Sequence, residues 1–265
     1  MTDDLRLSDR PGFTPMMARL VGMMDYTRLT TLQAVQGLSM EQLDTLPEGH
    51  GNTVAMLLEH FAAVEVYYQA ASSGSHANPE DALGECWRPG MELGALGREH
   101  IRGRPLGHYL RQLAEVRAQT LALFARKDDL WLDEPVPLWG TTGNRHFMWF
   151  HVFEDELNHR GQIRLLVKAL PGLESSGMLG VWLTPAHPDG TGMGCHQVFE
   201  GTPADLAGLR TGDVVLAYNG QAMKDVLFYE IPIAQPPGVR SHFLVQRGDE
   251  TLEVSVVRAL RPDPA

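Results

Sequence analysis

The chain is short of cysteine, of basic charge and of long apolar runs, and each shortage excludes something. Only two of its 265 residues are cysteines, Cys86 and Cys195, far apart and without a CxxC spacing. That argues against a disulfide framework, and both are expected to behave as ordinary small buried side chains. Lysine and arginine number 22 against 33 aspartates and glutamates, a formal charge of −11. So acidic a chain offers no broad surface to a phosphate backbone, and no nucleic acid is expected as a partner. No stretch reaches the roughly 20 apolar residues that span a bilayer, so no membrane partner is expected either. The opening residues, Met1 to Arg6, carry no basic segment followed by an apolar core, which makes the expected location cytoplasmic.

What is present is enough apolar sequence, 43%, to build cores in two domains of ordinary size. Thr14 and Pro15 mark a helix start, with Thr as N-cap and Pro in the first helical position. Met17, Leu20, Val21, Met24, Leu29, Leu32 and Val35 follow at helical spacing up to Gly37. A second helix is predicted from about Asn52 through Tyr68, a third around Leu106 to Phe124, and a fourth ending near Leu170. Residues 72–103, rich in Gly, Ser, Pro and charge, read as a long connection with a short helix at most. After Pro171 short alternating apolar segments and turns replace the helical repeats, the pattern of a small strand-rich domain. The predicted organisation is a helical domain over 1–170, a linker at 171–177 and a β-rich domain over 178–265.

The fourth helix carries the chemistry. His151, Asp155 and His159 lie four apart and share one face of an otherwise core-like segment containing Trp149, Phe150, Val152, Phe153 and Leu157. Imidazole and carboxylate groups on a buried face need partners, and a divalent metal supplies one. His60 on the second helix offers a further ligand. Glu154 and Glu156 either face solvent or pair with a neighbour such as Arg160, and Glu156 is also a candidate general base. Gly161 is expected to admit a neighbouring helix.

Residues 14–170 resemble the DinB-like family, with its YfiT-type four-helix bundles, through residues 52–65 and 151–162. The resemblance implies an up-and-down four-helix bundle whose metal ligands fall on His60, Asp155 and His159, where Asp155 replaces a more usual His. Two imidazoles and a carboxylate suit a divalent cation, with Zn²⁺ or Ni²⁺ foremost, and leave coordination positions open. His151, one turn earlier, is a candidate catalytic residue or an alternative ligand, beside Glu156 as base. The implied activity is transfer or hydrolysis involving a low-molecular-weight thiol or other small-molecule substrate, by a homodimer.

The segment from Val198 to Gly220 is similar to the centre of a PDZ domain of the kind attached to bacterial high-temperature-requirement proteases. Pro203 starts a short helix, Gly208 stops it, and Asn219-Gly220 is a hairpin turn. The resemblance implies a peptide C-terminus as partner, received by Met178, Leu179, Gly180 and Val181 and walled by a helix from about 223 to 231. The fold class is thus multi-domain α plus β, a four-helix bundle followed by a small PDZ-like domain. Two functions are expected from it: a metal-dependent transferase or hydrolase carrying a PDZ module, or a non-enzymatic adaptor that reads protein C-termini.

Overall fold

The computed structural model of the protein describes residues 6–76, 78–170, 177–186, 191–224 and 237–259. The chain divides into a helical unit of residues 6–35 and 39–170 and a second unit that comprises the chain beyond Leu170 together with Gln36–Leu38. Apart from Gly177, the predicted linker lies outside the described residues. Among the described residues no helix is long and apolar enough to cross a membrane.

The first helix, α1 (Pro15–Val35), starts at the predicted proline, but its cap comes from elsewhere in the chain. Asp129 accepts from the Met16 and Met17 amides at 3.3 and 3.2 Å, and the Thr14 hydroxyl donates to the same carboxylate. A side chain over a hundred residues away thus satisfies the orphan donors of the first turn. Next come α2 (Met40–Asp44) and α3 (Val54–Ser73), the latter capped by Thr53 and closed by Gly74 at φ 67°.

Residues 72–103 are more ordered than their composition suggests. They form a 3-10 turn (Pro79–Ala82), α4 (Gly84–Glu92) and α5 (Gly94–His100). The residues that read as loop are the ones that let α4 lie close on α3. A Cβ added at Gly90 would sit 3.0 Å from the Glu59 carbonyl oxygen. The unit continues with α6 (Leu106–Phe124), α7 (Asp129–Asp133), a hairpin of β1 (Pro135–Leu138) and β2 (Thr141–Asn144), and α8 (Arg145–Ala169).

The long helices pack so that α1 touches α8 and α6, and α3 touches the same two. Met17, Leu20, Met24, Phe124 and Trp149 are fully buried among them, with the Phe124 and Trp149 rings edge to face at 4.7 Å. Through this core runs an ion network drawing one group from each long helix. Arg28 of α1 donates to Glu156 of α8 at 3.0 and 3.1 Å and to Glu65 of α3 at 3.3 Å. Arg117 of α6 donates to Glu65 at 2.7 and 3.1 Å, and the Thr120 hydroxyl adds a bond at 2.6 Å. Glu65 is wholly buried and the other three charges nearly so.

The second unit is an antiparallel sheet in the order β3 (Val181–Pro185), β4 (Met193–Val198), β5 (Val214–Tyr218), β7 (Arg240–Arg247), β8 (Glu250–Val257), with β6 (Gln221–Ala222) paired to β5. The short α9 (Pro203–Leu206) begins at the predicted proline. Asn219 and Gly220 take φ of 46° and 80°, the primed turn that their sequence favours between β5 and β6. Buried Asp213 accepts two bonds of 2.7 Å from Arg247 and one of 2.9 Å from the Arg210 amide, which ties the turn before β5 to the end of β7.

Removing one member of the buried network strands the others. Glu65→Ala is expected to cost about 3–5 kcal/mol in urea unfolding followed by helical circular dichroism. Burial pushes the Glu65 carboxyl up, but Arg117 and Arg28 more than offset it, so its pKa lies below the ordinary value. Its contribution is therefore complete above the ordinary carboxylate range and lost as pH falls through the depressed native value. Glu65→Gln is expected to flatten that acid slope.

Candidate metal centre

His60 sits on α3, six residues after its first residue, and Asp155 and His159 lie one turn apart on α8, which packs against α3. The structure brings the three together, with one potential ligand atom from each lying within 4.8 Å of the others. His60 Nε2 is 3.3 Å from Asp155 Oδ2, and His159 Nε2 is 3.5 Å from Asp155 Oδ1. The two imidazoles meet edge to face at 4.8 Å.

Protonation follows from the next layer of contacts. His60 Nδ1 is 2.9 Å from the Gly90 carbonyl oxygen on α4. A carbonyl only accepts, so in the neutral ring Nδ1 carries the hydrogen and Nε2 presents a lone pair to Asp155. In that neutral form two acceptors face each other in a buried place, whereas a protonated ring donates its Nε2–H to Asp155 as an ion pair. With His60 neutral, Asp155 Oδ2 and His159 Nδ1 have no hydrogen-bond partner among the described residues. Burial pushes the Asp155 carboxyl up, yet a hydrogen bond from His60 and the positive charge that His60, His159 and His151 carry when protonated outweigh it and hold it below the ordinary value. An ionised carboxylate between imidazoles is a donor set that fits a divalent cation.

The other predicted site residues are placed apart from this cluster. His151 does not join it; Nδ1 lies 3.0 Å from Glu154 Oε2, and the ring rests edge to face on Trp139 at 4.8 Å. Glu154 also accepts from Asn158. Glu156, expected as a base, points the other way. It is 2% exposed and both of its oxygens are taken by Arg28, which makes it part of the buried ion network. Arg160, the partner expected for these glutamates, donates instead to Thr30. Nothing lies within 4 Å of a Cβ added at Gly161, so that glycine admits no neighbouring helix. Cys86 is exposed, contrary to expectation, while Cys195 is buried and its thiol is pushed up to about 12 by burial.

A cavity of about 680 Å³ opens beside the cluster, and His60, Asp155 and His151 line it. Its walls include Val64, Tyr67 and Tyr68 of α3, Leu83, Met91 of α4, and Trp139 at the tip of the β1–β2 hairpin. Burial, with smaller effects of Tyr67 and Asp155, pushes the Tyr68 phenol up to about 12, so it stays protonated. Trp139 escaped sequence analysis. A tryptophan before a glycine between two short Pro- and Gly-bearing runs was the available sign.

In the second unit, β3 is an edge strand that pairs only with β4 among the described residues. Just before it, the Leu179 carbonyl accepts from the Ala204 amide at 2.8 Å, and Met178 bridges to Ala259. Gly180 has φ 81°, and a Cβ there would fall 2.2 Å from Thr202, so this position admits glycine because the chain itself approaches it closely. The expected groove helix lies outside the described residues beyond Lys224.

The architecture is thus a four-helix bundle with a two-histidine, one-carboxylate cluster, followed by a small antiparallel β domain. The mycothiol-S-transferase family profile matches residues 19–172, more than half of the chain, and the chain belongs to that family. A PDZ-domain profile matches residues 197–230. No curated protein matches the chain. Among solved structures it is similar to an HtrA-type protease, AlgW with tripeptide, at 25% identity and a TM-score of 0.30, over 34% of this chain and 33% of that one. A serine endoprotease from Yersinia pestis is 16% identical at a TM-score of 0.28, over 46% of this chain and 38% of that one. The chain therefore spans little more than a third of these proteases.

The placements of Glu156 and Gly180 can each be checked by substitution. Glu156→Gln is expected to lower the urea midpoint clearly, whereas Glu154→Gln, at a half-exposed pair, is expected to change stability by less than about 1 kcal/mol. Gly180→Ala is expected to destabilise the β unit by at least about 1–3 kcal/mol through clash and left-handed backbone strain, read by thermal melting of the β unit.

Proposed function

We propose that the helical unit is a metal-dependent S-transferase that joins a low-molecular-weight thiol to a small electrophile, with His60, Asp155 and His159 holding the ion. The observation that carries this reading is the convergence of one potential ligand atom each from His60, Asp155 and His159, all within 4.8 Å of one another. Two imidazole nitrogens and one carboxylate suit Zn²⁺ or Ni²⁺. When bound, such an ion lowers the pKa of a thiol, so that the nucleophilic thiolate is available at neutral pH.

The protein's own groups have separable tasks. Gly90 fixes the His60 ring through its carbonyl, and Asp155 stays ionised between the imidazoles. His151, whose Nδ1–H donates to Glu154, keeps Nε2 as the acceptor for a proton released in the cavity. Tyr68 remains a phenol and a hydrogen-bond donor. Val64, Leu83 and Met91 supply an apolar wall that limits water.

Elemental analysis of the purified full-length protein and of His159→Ala tests the ion. About one zinc or nickel per chain is expected in the first and none in the second. Absence of metal from both, even after incubation with Zn²⁺ and Ni²⁺, rejects the proposal. His151→Gln is expected to keep the metal and to slow thiol consumption against monochlorobimane by about 10²–10⁴-fold.

A second reading concerns the β unit, where the PDZ match and the edge of β3, unpaired among the described residues, support capture of an extended peptide as an added strand. Peptides ending in a free carboxylate should then shift fluorescence anisotropy where their amidated copies do not. Equal signals from both would count against C-terminal recognition.

A further inference from the structure

We infer that Trp139 is the specificity-determining wall of the cavity and that the electrophile it admits is aromatic and carries no negative charge. The inference rests on the S-transferase reading for the word electrophile, but its structural grounds are independent of the metal. The β1–β2 hairpin closes with two residues, Trp139 at φ 49° and Gly140 at φ 78°. That primed turn favours Asn-Gly, because both residues need positive φ. A bulky aromatic in the left-handed region is an outlier with a cost in stability, and such outliers concentrate where function holds them.

Packing does not repay that cost, since Trp139 remains 65% exposed. What the ring does instead is line the cavity, braced edge to face by His151 at 4.8 Å and Phe147 at 5.8 Å. Tyr67 and Tyr68 stand among the other walls, so a flat ring entering the cavity meets aromatic surface from two elements of the fold.

Charge decides the second half of the inference. Apart from Asp155 of the cluster, three carboxylates, Glu80, Asp81 and Glu92, line the cavity against one guanidinium, Arg88, and that one is paired with Glu92 at 3.0 Å. Among the described residues Glu80 and Asp81 carry no ion pair. A concave site lined by one sign of charge repels like-charged ligands and concentrates opposite ones, and an indole face attracts cations.

The test is isothermal titration of the full-length protein with 2-phenylethylamine and with 3-phenylpropionate, an aromatic pair differing in charge. The amine is expected to bind at least about tenfold more tightly. Trp139→Asn is expected to lower amine affinity by about tenfold while leaving the melting temperature unchanged or higher, because Asn suits the turn; Trp139→Phe is expected to keep most of the affinity. A purely structural Trp139 would instead lose stability and leave binding alone. Equal binding of the two probes, no binding of either, or wild-type affinity in Trp139→Asn overturns the inference. Metal content measured on the same samples separates the two readings. Loss of the ion with amine selectivity intact removes the transferase reading alone, and loss of selectivity with the ion bound removes only this inference.

Discussion

The helical unit depends on one buried set of charges, Arg28, Glu65, Arg117 and Glu156, contributed by α1, α3, α6 and α8. Apolar side chains such as Met17, Leu20 and Trp149 supply the driving force for burial, but they tolerate sliding and rotation. Buried ions do not. Each guanidinium needs its carboxylate at hydrogen-bond distance, and a shift of one turn along any helix would leave a charge alone in the core. The network therefore acts as a register pin. Its members adjoin the cluster in sequence, Glu156 next to Asp155 and Glu65 five residues after His60, so the register it sets is the register of the candidate metal centre.

Around that centre, departures from ordinary local structure coincide with the site. Pro89 and Gly90 lie inside α4, where both disfavour a helix, yet Gly90 allows the close approach to α3 that places its carbonyl on His60. Trp139 occupies a turn position suited to Asn and lines the cavity. Local preference and global fold agree across most of the unit, as in the Asn144 cap of α8 and the Thr53 cap of α3. They disagree at the residues that shape the pocket.

The β unit shows the opposite balance. Its informative residues are turn formers, Gly180, Asn219 and Gly220, whose backbone angles follow from their chemistry. Long-range pairs such as Asp213 with Arg247, 34 residues apart, and Tyr218 with Arg258, 40 apart, are what spacing does not announce there. Membership in the mycothiol-S-transferase family applies to the helical part, and the PDZ match to part of the β unit.

What the sequence by itself determined was whatever rests on near neighbours in the chain. Periodicity located the long helices, Pro15 and Pro203 marked two starts, and the four-residue spacing put Asp155 and His159 on one face. Only the tertiary structure decided which polar groups meet across elements. It turned Glu156 from a candidate base into a core ion, kept His151 out of the ligand cluster, made Asp129 the cap of α1, and brought Trp139 to the cavity. The physical reason is that charge pairing and cavity shape are set by distance in space. Glu156 and Arg28, 128 residues apart, carry no local signal of each other.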